Sequence, residues 1–274
     1  MIDSHVHTRY SKHARGSIDD VVRAALANGI SILTFTDHAP FPVDATNRLL
    51  ASELEQYVED IARARSQYSS QITILTGLEA DFMPGAGEHT QRLLAGLELD
   101  FVIGSIHYIP VAGGRVNVWD LPRLNEAETL TRFFLGLEEA LCCGMFDAMG
   151  HPDALLRAVP EDTWCARFLP LLPLFARHGV AYELNASGAR KSIYDPATGR
   201  ESHGCHLSYP SRTLLPLLVA AGVSFTIGSD AHDPQDVGAG VTELLKEVGG
   251  LGVQEISYYR ERRRFAMPLG DLLP

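Results

Sequence analysis

The sequence has little cysteine, no long apolar run and a deficit of positive charge. Its four cysteines show no Cys-x-x-Cys spacing, which fits a reducing compartment and thiols that pack as small apolar side chains. The longest apolar runs, such as 168–176, are short and interrupted by proline, so no segment is expected to cross a membrane. The start Met1-Ile2-Asp3 has no signal-peptide pattern, and we expect a cytoplasmic protein.

The charge balance is acidic, with 23 lysines and arginines against 34 aspartates and glutamates. A formal net charge of −11 makes a nucleic-acid partner unexpected, although bound cations would offset part of it. The 274 residues contain no obvious linker and are 46% hydrophobic. This length suits one α/β barrel domain over residues 1–274.

The first stretch, Asp3-Ser4-His5-Val6-His7, has the composition of a strand end that carries metal ligands. Successive side chains of a strand point to opposite faces, so His5 and His7 share one face, and Asp3 has the same parity. Two neighbouring imidazoles are suitable ligands for Zn, Mn or Fe. Two surface histidines near a chain terminus are the alternative interpretation.

The rest of the chain repeats this pattern of a strand followed by polar residues. Further strands are predicted at 30–36, 72–78, 101–106, 146–150, 180–184 and 223–229. Helices are predicted after Ser17 and at 52–67, 126–141, 164–178 (interrupted by prolines) and 214–221. We expect long loops at 109–121 and 190–208, a last strand within 256–269, and a solvated charged turn at 260–264.

Alternating strands and helices predict a parallel sheet with right-handed crossovers. Seven strands that end in one common site favour closure, so we expect a distorted, TIM-like (β/α)7 barrel. In barrels of this kind the functional site lies at the carboxyl ends of the strands. An open sheet would use the ends of only two or three strands.

Seven of the eleven histidines, with three carboxylates, follow these predicted strands or lie in the first loop. The set is His5, His7, His13, Asp37, His38, Glu79, His107, His151, Asp230 and His232. One tetrahedral or octahedral ion cannot use so many donors, so two or three ions are expected, with Glu79 as the bridging carboxylate. Mixed nitrogen and oxygen ligation favours Zn, Mn or Fe over Mg or Ca.

Clustered divalent ions supply hydroxide at neutral pH and clamp the attacking and leaving oxygens of a displacement at phosphorus. Hydrolysis of a phosphate ester is therefore the leading interpretation. Hydrolysis of an amide or amine on an amidohydrolase barrel is the chemical alternative, because such barrels also begin with His-x-His and end with an aspartate.

The sequence resembles the polymerase and histidinol phosphatase (PHP) superfamily, and over its whole length the histidinol-phosphatase type of that family. The resemblance rests on stretches in the family order. They are 3–8 (DSHVHT), 34–38 (TFTDH), 77–81 (GLEAD), 103–108 (IGSIHY), 150–153 (GHPD), 183–185 (ELN) and 228–232 (GSDAH). The resemblance implies a (β/α)7 barrel with a trinuclear site.

By this resemblance, each of the three ions has its own set of ligands. The sets are His5, His7, Glu79 and Asp230; Glu79, His107 and His151; and His13, His38 and His232. Asp37 would then support a ligand instead of binding an ion. Relatives often carry Cys-x-His before the position of His13, where this chain has Ser11-Lys12-His13.

The implied reaction is hydrolysis of L-histidinol phosphate to L-histidinol and phosphate, with attack on phosphorus by a hydroxide that bridges the metals. Asp230 and His232 are the candidate catalytic residues, His232 as a donor of the leaving-group proton. The candidate substrate-binding residues are Arg190, Lys191, Asn185 and Asn117, with Trp119 as a further pocket residue.

Two alternatives stay open within the family. A PHP phosphoesterase for another phosphate monoester or a nucleotide would share the metal site and differ only in the pocket. An accessory module of a DNA polymerase is disfavoured by the full ligand set and by the stand-alone length. The sequence leaves open whether the chain forms a homo-oligomer.

Overall fold

A computed structural model describes residues 1–202 and 212–273, and its main feature is a sheet of seven parallel strands. In chain order, which is also their order in the sheet, the strands are β1 Ile2–Val6, β2 Ile32–Phe35, β3 Thr73–Asp81, β4 Phe101–Ser105, β5 Ala148–Met149, β6 Ala181–Asn185 and β7 Phe225–Gly228. They are buried nearly throughout, as expected for strands covered by helices on the outside.

The helices connect these strands and pack outside them. They are α1 Ile18–Ala27, α2 Leu54–Gln67, α3 Gly87–Ala95, α4 Leu121–Leu124, α5 Ala127–Cys142, α6 Glu161–Phe168, α7 Leu172–His178, α8 Leu214–Ala220 and α9 Val241–Gly250. The predicted cap of α1 is present, since the Ser17 hydroxyl accepts from the backbone N–H of Asp20 and the Asp20 carboxylate accepts from that of Ser17. The predicted proline interruption separates α6 from α7.

The first and last strands of the sheet meet and nearly close it into a barrel, which confirms the predicted fold class. The N–H of His7 donates to the carbonyl of Ala231 over 2.8 Å, and the N–H of Asp230 donates to the carbonyl of His5 over 2.8 Å. Gly228 is required at this seam, because a Cβ atom there would lie 2.3 Å from the Cβ atom of His5.

Asp3 stabilises the same seam and does not join the two histidines that follow it. Its fully buried carboxylate accepts from the backbone N–H and hydroxyl of Ser229, over 2.8 and 2.6 Å, and from the N–H of Gly238 over 2.9 Å. The alternation of side chains along a strand predicted that Asp3 would share the face of His5 and His7. The structure differs, because the register of β1 shifts between Asp3 and Val6.

Two of the predicted loops contain antiparallel hairpins. The expected loop at 109–121 contains the hairpin Tyr108–Val111/Gly114–Asn117, whose turn uses the positive φ angles of Gly113 and Gly114. The expected loop at 190–208 contains the hairpin Ile193–Asp195/Arg200–Ser202, and its remainder, 203–208, lies outside the described residues. Helices α3 and α9 were not predicted at all.

The C-terminal segment was expected to add one strand and instead forms a separate hairpin, Glu255–Arg260/Arg263–Pro268, across the amino-terminal end of the barrel. Tyr259 stacks on Phe101 with ring centroids 5.1 Å apart and donates its hydroxyl to the carbonyl of Asp147. The expectation of a merely solvated turn at 260–264 is wrong for Arg262. Its guanidinium donates to the Asp147 carboxylate over 2.5 Å and to the carbonyl of Met145 over 2.6 Å.

No helix within the described ranges 1–202 and 212–273 has the length and apolar character needed to cross a membrane.

The contact between Arg262 and Asp147 predicts a stability effect at this end of the barrel. Arg262→Ala would leave the Asp147 carboxylate, which is 8% exposed, without its cation. We expect the free energy of unfolding to fall by about 1–3 kcal/mol, measured by urea denaturation. Arg263→Ala, at an exposed position of the same hairpin, is the control and is expected to change it by less than about 0.5 kcal/mol. Equal stability of the two variants would contradict this account.

Candidate metal centre

The two histidines of β1 face each other at its carboxyl end. The Nε2 atoms of His5 and His7 lie 3.0 Å apart, and both side chains are buried. Both nitrogens also face Asp230, whose Oδ1 atom lies 3.7 Å from His5 Nε2 and 3.3 Å from His7 Nε2. Two imidazole nitrogens and a carboxylate oxygen that converge in this way form a three-donor group.

Glu79, near the end of β3, lies at the centre of the cluster. Its carboxylate is 1% exposed and lies within 3.5 Å of nitrogen atoms from five imidazoles. These belong to His5, His7, His38, His107 and His151. The Ser105 hydroxyl donates to Glu79 Oε1 over 2.7 Å and holds this carboxylate in place.

A further group of imidazoles lies on the open side of the cluster. The ring of His13 is 5.2 Å from that of His38 and 4.8 Å from that of His232, measured between centroids. Donor atoms of His7, His38 and His232 lie within 4.8 Å of one another. His13 is more exposed than the others, and its Nδ1 atom lies 3.0 Å from the carbonyl of Asn47.

The grouping of these donors differs in part from the sets implied by the family resemblance. His38 lies with Glu79 and His107 in one group, as well as with His7 and His232 in another. The structure therefore places all nine predicted ligand side chains in one region and leaves His38 between two candidate ion positions.

Unpaired buried atoms support the presence of cations in this cluster. Among the described residues, Glu79 Oε2 and His38 Nδ1 make no hydrogen bond, although they lie only 2.8 Å apart. Buried polar atoms without partners are costly, and converging lone pairs are what a bound cation satisfies. The residues present therefore fit a group of divalent ions.

The backbone at two of the candidate ligands is also unusual. His151 and Asp230 have φ angles of 29° and 52°, in the left-handed region that favours glycine. Both residues lie two positions after a strand end, and such conformations are retained where the surrounding structure requires them.

The pKa values of the Glu79 and Asp230 carboxylates are lowered by nearby side chains in spite of burial. Burial acts to raise the pKa of Glu79, but the nearby imidazoles of His38, His107 and His5 more than offset it and hold this pKa well below its usual value. Burial acts in the same way on Asp230, and Lys191 and His5 hold its pKa well below its usual value. Both groups are therefore charged at neutral pH.

The pKa values of His7 and His232 shift in one direction and that of His5 in the other. Burial, reinforced by His232 and His38, lowers the pKa of His7 well below its usual value, and burial lowers that of His232 to about 4. Burial also opposes protonation of His5, but the Glu183, Glu79 and Asp230 carboxylates raise its pKa well above the usual value. Cation binding would displace a proton from His5, as is usual for metal sites.

In three of the imidazoles, the Nδ1 atom faces away from the cluster and contacts another side chain. His5 Nδ1 lies 2.5 Å from Glu183 Oε1, and His107 Nδ1 lies 2.9 Å from Asp81 Oδ1. His7 Nδ1 lies 3.2 Å from the hydroxyl of Ser11, which donates to Asp37. Such contacts fix the ring and direct its other nitrogen towards a metal. Asp37 thus contacts the cluster indirectly, through the Ser11 hydroxyl.

The supporting residues Glu183, Asp81 and Ser11 were not singled out from the sequence. Asp81 carried a usable signal, because it lies two residues after Glu79 and so points to the same face of β3. Glu183 was visible as one acid in an otherwise apolar strand, but its partner His5 is 178 positions away along the chain. No local pattern connects the two.

An open cavity of about 580 Å³ lies above the cluster. Its predicted lining residues are His13, His38, Glu79, His107, Asn117, Trp119, His151, Arg190, Lys191, Asp230 and His232. Asp44, Arg48, Tyr108 and Asp236 also line it and were not predicted. Its size is typical of a site for a small molecule.

The predicted substrate residues take different positions. Lys191 Nζ lies 3.5 Å from Asp230 Oδ2 and 4.8 Å above the ring of Trp119. The guanidinium of Arg190 donates to the carbonyls of Ser229 and Ala239, over 2.6 and 3.0 Å. Asn185 is fully buried below the cavity, where its amide donates to Glu183.

Among the four histidines that were left out of the predicted set, His89 lies against the carbonyl of Pro40 and His178 ends α7. His203 and His206 lie outside the described residues.

Comparison with known proteins gives one family match and several full-length relatives. The PHP domain model matches residues 3–187. A probable histidinol-phosphatase of Deinococcus radiodurans is 32% identical over 263 residues, covering 94% of this chain and 96% of that protein. The histidinol-phosphatase of Bacillus subtilis is 30% identical over 273 residues, covering 89% and 98%. A probable phosphatase of Vibrio vulnificus is 29% identical and covers 90% and 85%.

A solved structure has the same fold. The histidinol phosphate phosphatase of Lactococcus lactis, complexed with zinc, L-histidinol and phosphate, superposes with a TM-score of 0.79 and 19% identity, covering 96% of this chain and 98% of that one. The family model covers more than half of the sequence, and the identity to the Deinococcus protein extends over nearly all of it. The chain belongs to the PHP domain family.

Proposed function

We propose that this chain is a metal-dependent phosphatase that hydrolyses L-histidinol phosphate to L-histidinol and phosphate. The observation that carries the proposal is the buried Glu79 carboxylate with imidazole nitrogens of five histidines within 3.5 Å, at the floor of an open cavity. The names of the relatives from Deinococcus and Bacillus support the choice of substrate.

The site would hold three divalent ions, of Zn, Mn or Fe, which suit imidazole and carboxylate ligands. The residues that would hold them are His5, His7, His13, His38, Glu79, His107, His151, Asp230 and His232. When bound, such ions supply hydroxide at neutral pH and neutralise the negative charge of a phosphoryl group.

Asp230 would connect the ions to the substrate side of the site. Its Oδ1 atom faces the imidazoles, while its Oδ2 atom accepts from the Ser187 hydroxyl over 2.9 Å and lies 3.5 Å from Lys191. This arrangement leaves the Lys191 ammonium at the cavity wall, where it would attract the phosphate group. His232, with a pKa lowered by burial to about 4, is neutral at pH 7 and suits a ligand better than a proton donor.

The cavity wall also suits the other end of the proposed substrate, which carries an ammonium group and an imidazole. Asp44 and Asp236 add negative charge to the wall, and Trp119 and Tyr108 add aromatic surface. Hydrogen bonds from Asn47 keep the pKa of Asp44 below its usual value, so this carboxylate is charged. Opposite charges at the two ends would orient an amino phosphate ester.

A phosphatase for another monoester is the second candidate, because the Vibrio relative at 29% identity carries only the general name of a probable phosphatase. Both candidates use the same metal site and differ in the pocket. The cytoplasmic location predicted from the sequence stays a prediction.

Removal and replacement of metal tests the main proposal. Protein stripped by a chelator should release no phosphate from L-histidinol phosphate, and reloading with Mn²⁺ or Zn²⁺ should restore a kcat/KM of about 10⁴ M⁻¹s⁻¹ or more. Elemental analysis should give about three ions per chain, on the donor count above. His107→Ala should lose one ion, whereas His89→Ala, outside the cluster, should keep all three. Faster turnover of another ester would favour the second candidate, and no turnover of any ester would reject both.

The position of Lys191 predicts a role in phosphate binding. Lys191→Met removes a cation next to Asp230 and should lower kcat/KM by about 10–100-fold, mainly through a higher KM, with partial recovery in Lys191→Arg. Lys246→Met, on the exposed face of α9, is the matched control and should behave like the parent protein. A normal KM for Lys191→Met in steady-state kinetics would rule out this role.

Glu183 is expected to act on metal affinity through His5. Glu183→Gln keeps the shape of the side chain but weakens its hold on His5 Nδ1, so the affinity for Zn²⁺ should fall by about 10–100-fold in a chelator competition titration. Glu139→Gln, an exposed change on α5, should leave the affinity unchanged. Unchanged affinity in Glu183→Gln would mean that this contact does not orient the imidazole.

A further inference from the structure

Arg48 is a buried cation in the loop that follows β2, and it is 3% exposed. Its Nη1 atom donates to Asp81 Oδ2 over 2.6 Å and to the carbonyl of Ala39 over 3.1 Å. Its Nε atom donates to the carbonyl of Asp44, and its Nη2 atom donates to the hydroxyl of Tyr108 over 3.3 Å. All three nitrogens therefore have partners, and the geometry requires a planar, forked donor.

The ion pair of Arg48 continues into the metal centre. Asp81 uses Oδ2 for Arg48 and Oδ1 for His107, whose Nδ1 atom is 2.9 Å away. The opposite ring nitrogen, His107 Nε2, lies 3.4 Å from Glu79 Oε1. The two oxygens of the Asp81 carboxylate are thus shared between Arg48 and His107.

The same loop also contacts two other candidate ligands. The carbonyl of Asn47 faces His13 Nδ1 at 3.0 Å, and the N–H of Leu49 donates to the carbonyl of His38 over 3.1 Å. Asp44, in the left-handed conformation with φ of 57°, accepts from the Asn47 amide and from the Tyr108 hydroxyl, both over 2.9 Å. Residues 44–49 therefore contact His13 and His38 directly and reach His107 through Asp81.

Within residues 44–49 the only regular element is the short 3-10 helix Ala45–Asn47. Arg48 holds this segment in position, since its guanidinium carbon lies 5.6 Å from the ring centre of Phe41 and 5.7 Å from that of Tyr108. One buried side chain thus connects the loop, β3 and the segment after β4.

We propose that Arg48 is a positioning residue of the metal centre, which orients His107 through Asp81 and holds residues 44–49 against His13 and His38. The proposal rests on the metal-dependent function proposed above. Arg48 lines the cavity, but all three of its guanidinium nitrogens are bonded to protein groups, so its loss is expected to reduce metal retention and kcat more than it raises KM.

The test compares Arg48→Ala and Arg48→Lys with the parent protein, each stripped and loaded with Co²⁺. We expect chelator competition to show Co²⁺ affinity reduced by about 10–100-fold in Arg48→Ala, with an altered visible spectrum and a lower kcat. Arg48→Lys keeps the charge but loses the fork, so it should recover only part of the affinity.

Arg65→Ala is the matched control, because Arg65 forms a comparable 2.6 Å ion pair with Asp100 at the opposite end of the barrel. We expect it to lower the melting temperature and to leave Co²⁺ affinity and spectrum equal to those of the parent. Arg48→Lys carries the test if Arg48→Ala does not fold, and its Co²⁺ affinity should still lie below that of the parent. Normal Co²⁺ affinity and spectrum in these variants would overturn the proposal, even if stability falls. A parent protein that binds no Co²⁺ would instead overturn the proposed function.

Discussion

The carboxylate of Glu79 is the group on which the rest of the site depends. It is almost completely buried, which acts to raise its pKa, but the imidazoles of His38, His107 and His5 hold this pKa well below the usual value. A buried negative charge of this kind is stable only if positive charge lies close to it. The protein supplies donor atoms from six of its seven barrel strands or the residues that directly follow them, and bound cations would complete the balance of charge.

The precision of the cluster comes from the residues behind the ligands. Glu183, Asp81 and Ser11 each contact the outer nitrogen of one imidazole, and so leave the inner nitrogen directed towards the centre. Imidazole rings that are fixed in this way need no rearrangement when an ion binds, which favours affinity. Arg48 lies one residue further from the proposed ions. It donates to the Asp81 carboxylate, which in turn contacts the candidate ligand His107.

The two ends of the barrel have different roles. The carboxyl ends of the strands carry the buried histidines, the left-handed residues His151 and Asp230, and the open cavity. The amino ends are covered by the C-terminal hairpin, where Tyr259 packs on Phe101 and Arg262 pairs with Asp147. The carboxyl end of the barrel thus carries the converging candidate ligands, and the amino end carries a satisfied ion pair.

The sequence by itself determined the seven strands, the barrel and the set of side chains at the strand ends, because apolar β-branched runs and the residues that follow them are local features. Parallel strands then bring those ends to one face of the barrel. Only the tertiary structure decided that Asp3 closes the seam, that Asn185 lies below the cavity, and that Arg262 covers the amino-terminal end. Each of these outcomes depends on a partner distant in sequence. The same holds for Glu183 and Arg48, since a charged residue becomes a support for a ligand only when folding places the ligand beside it.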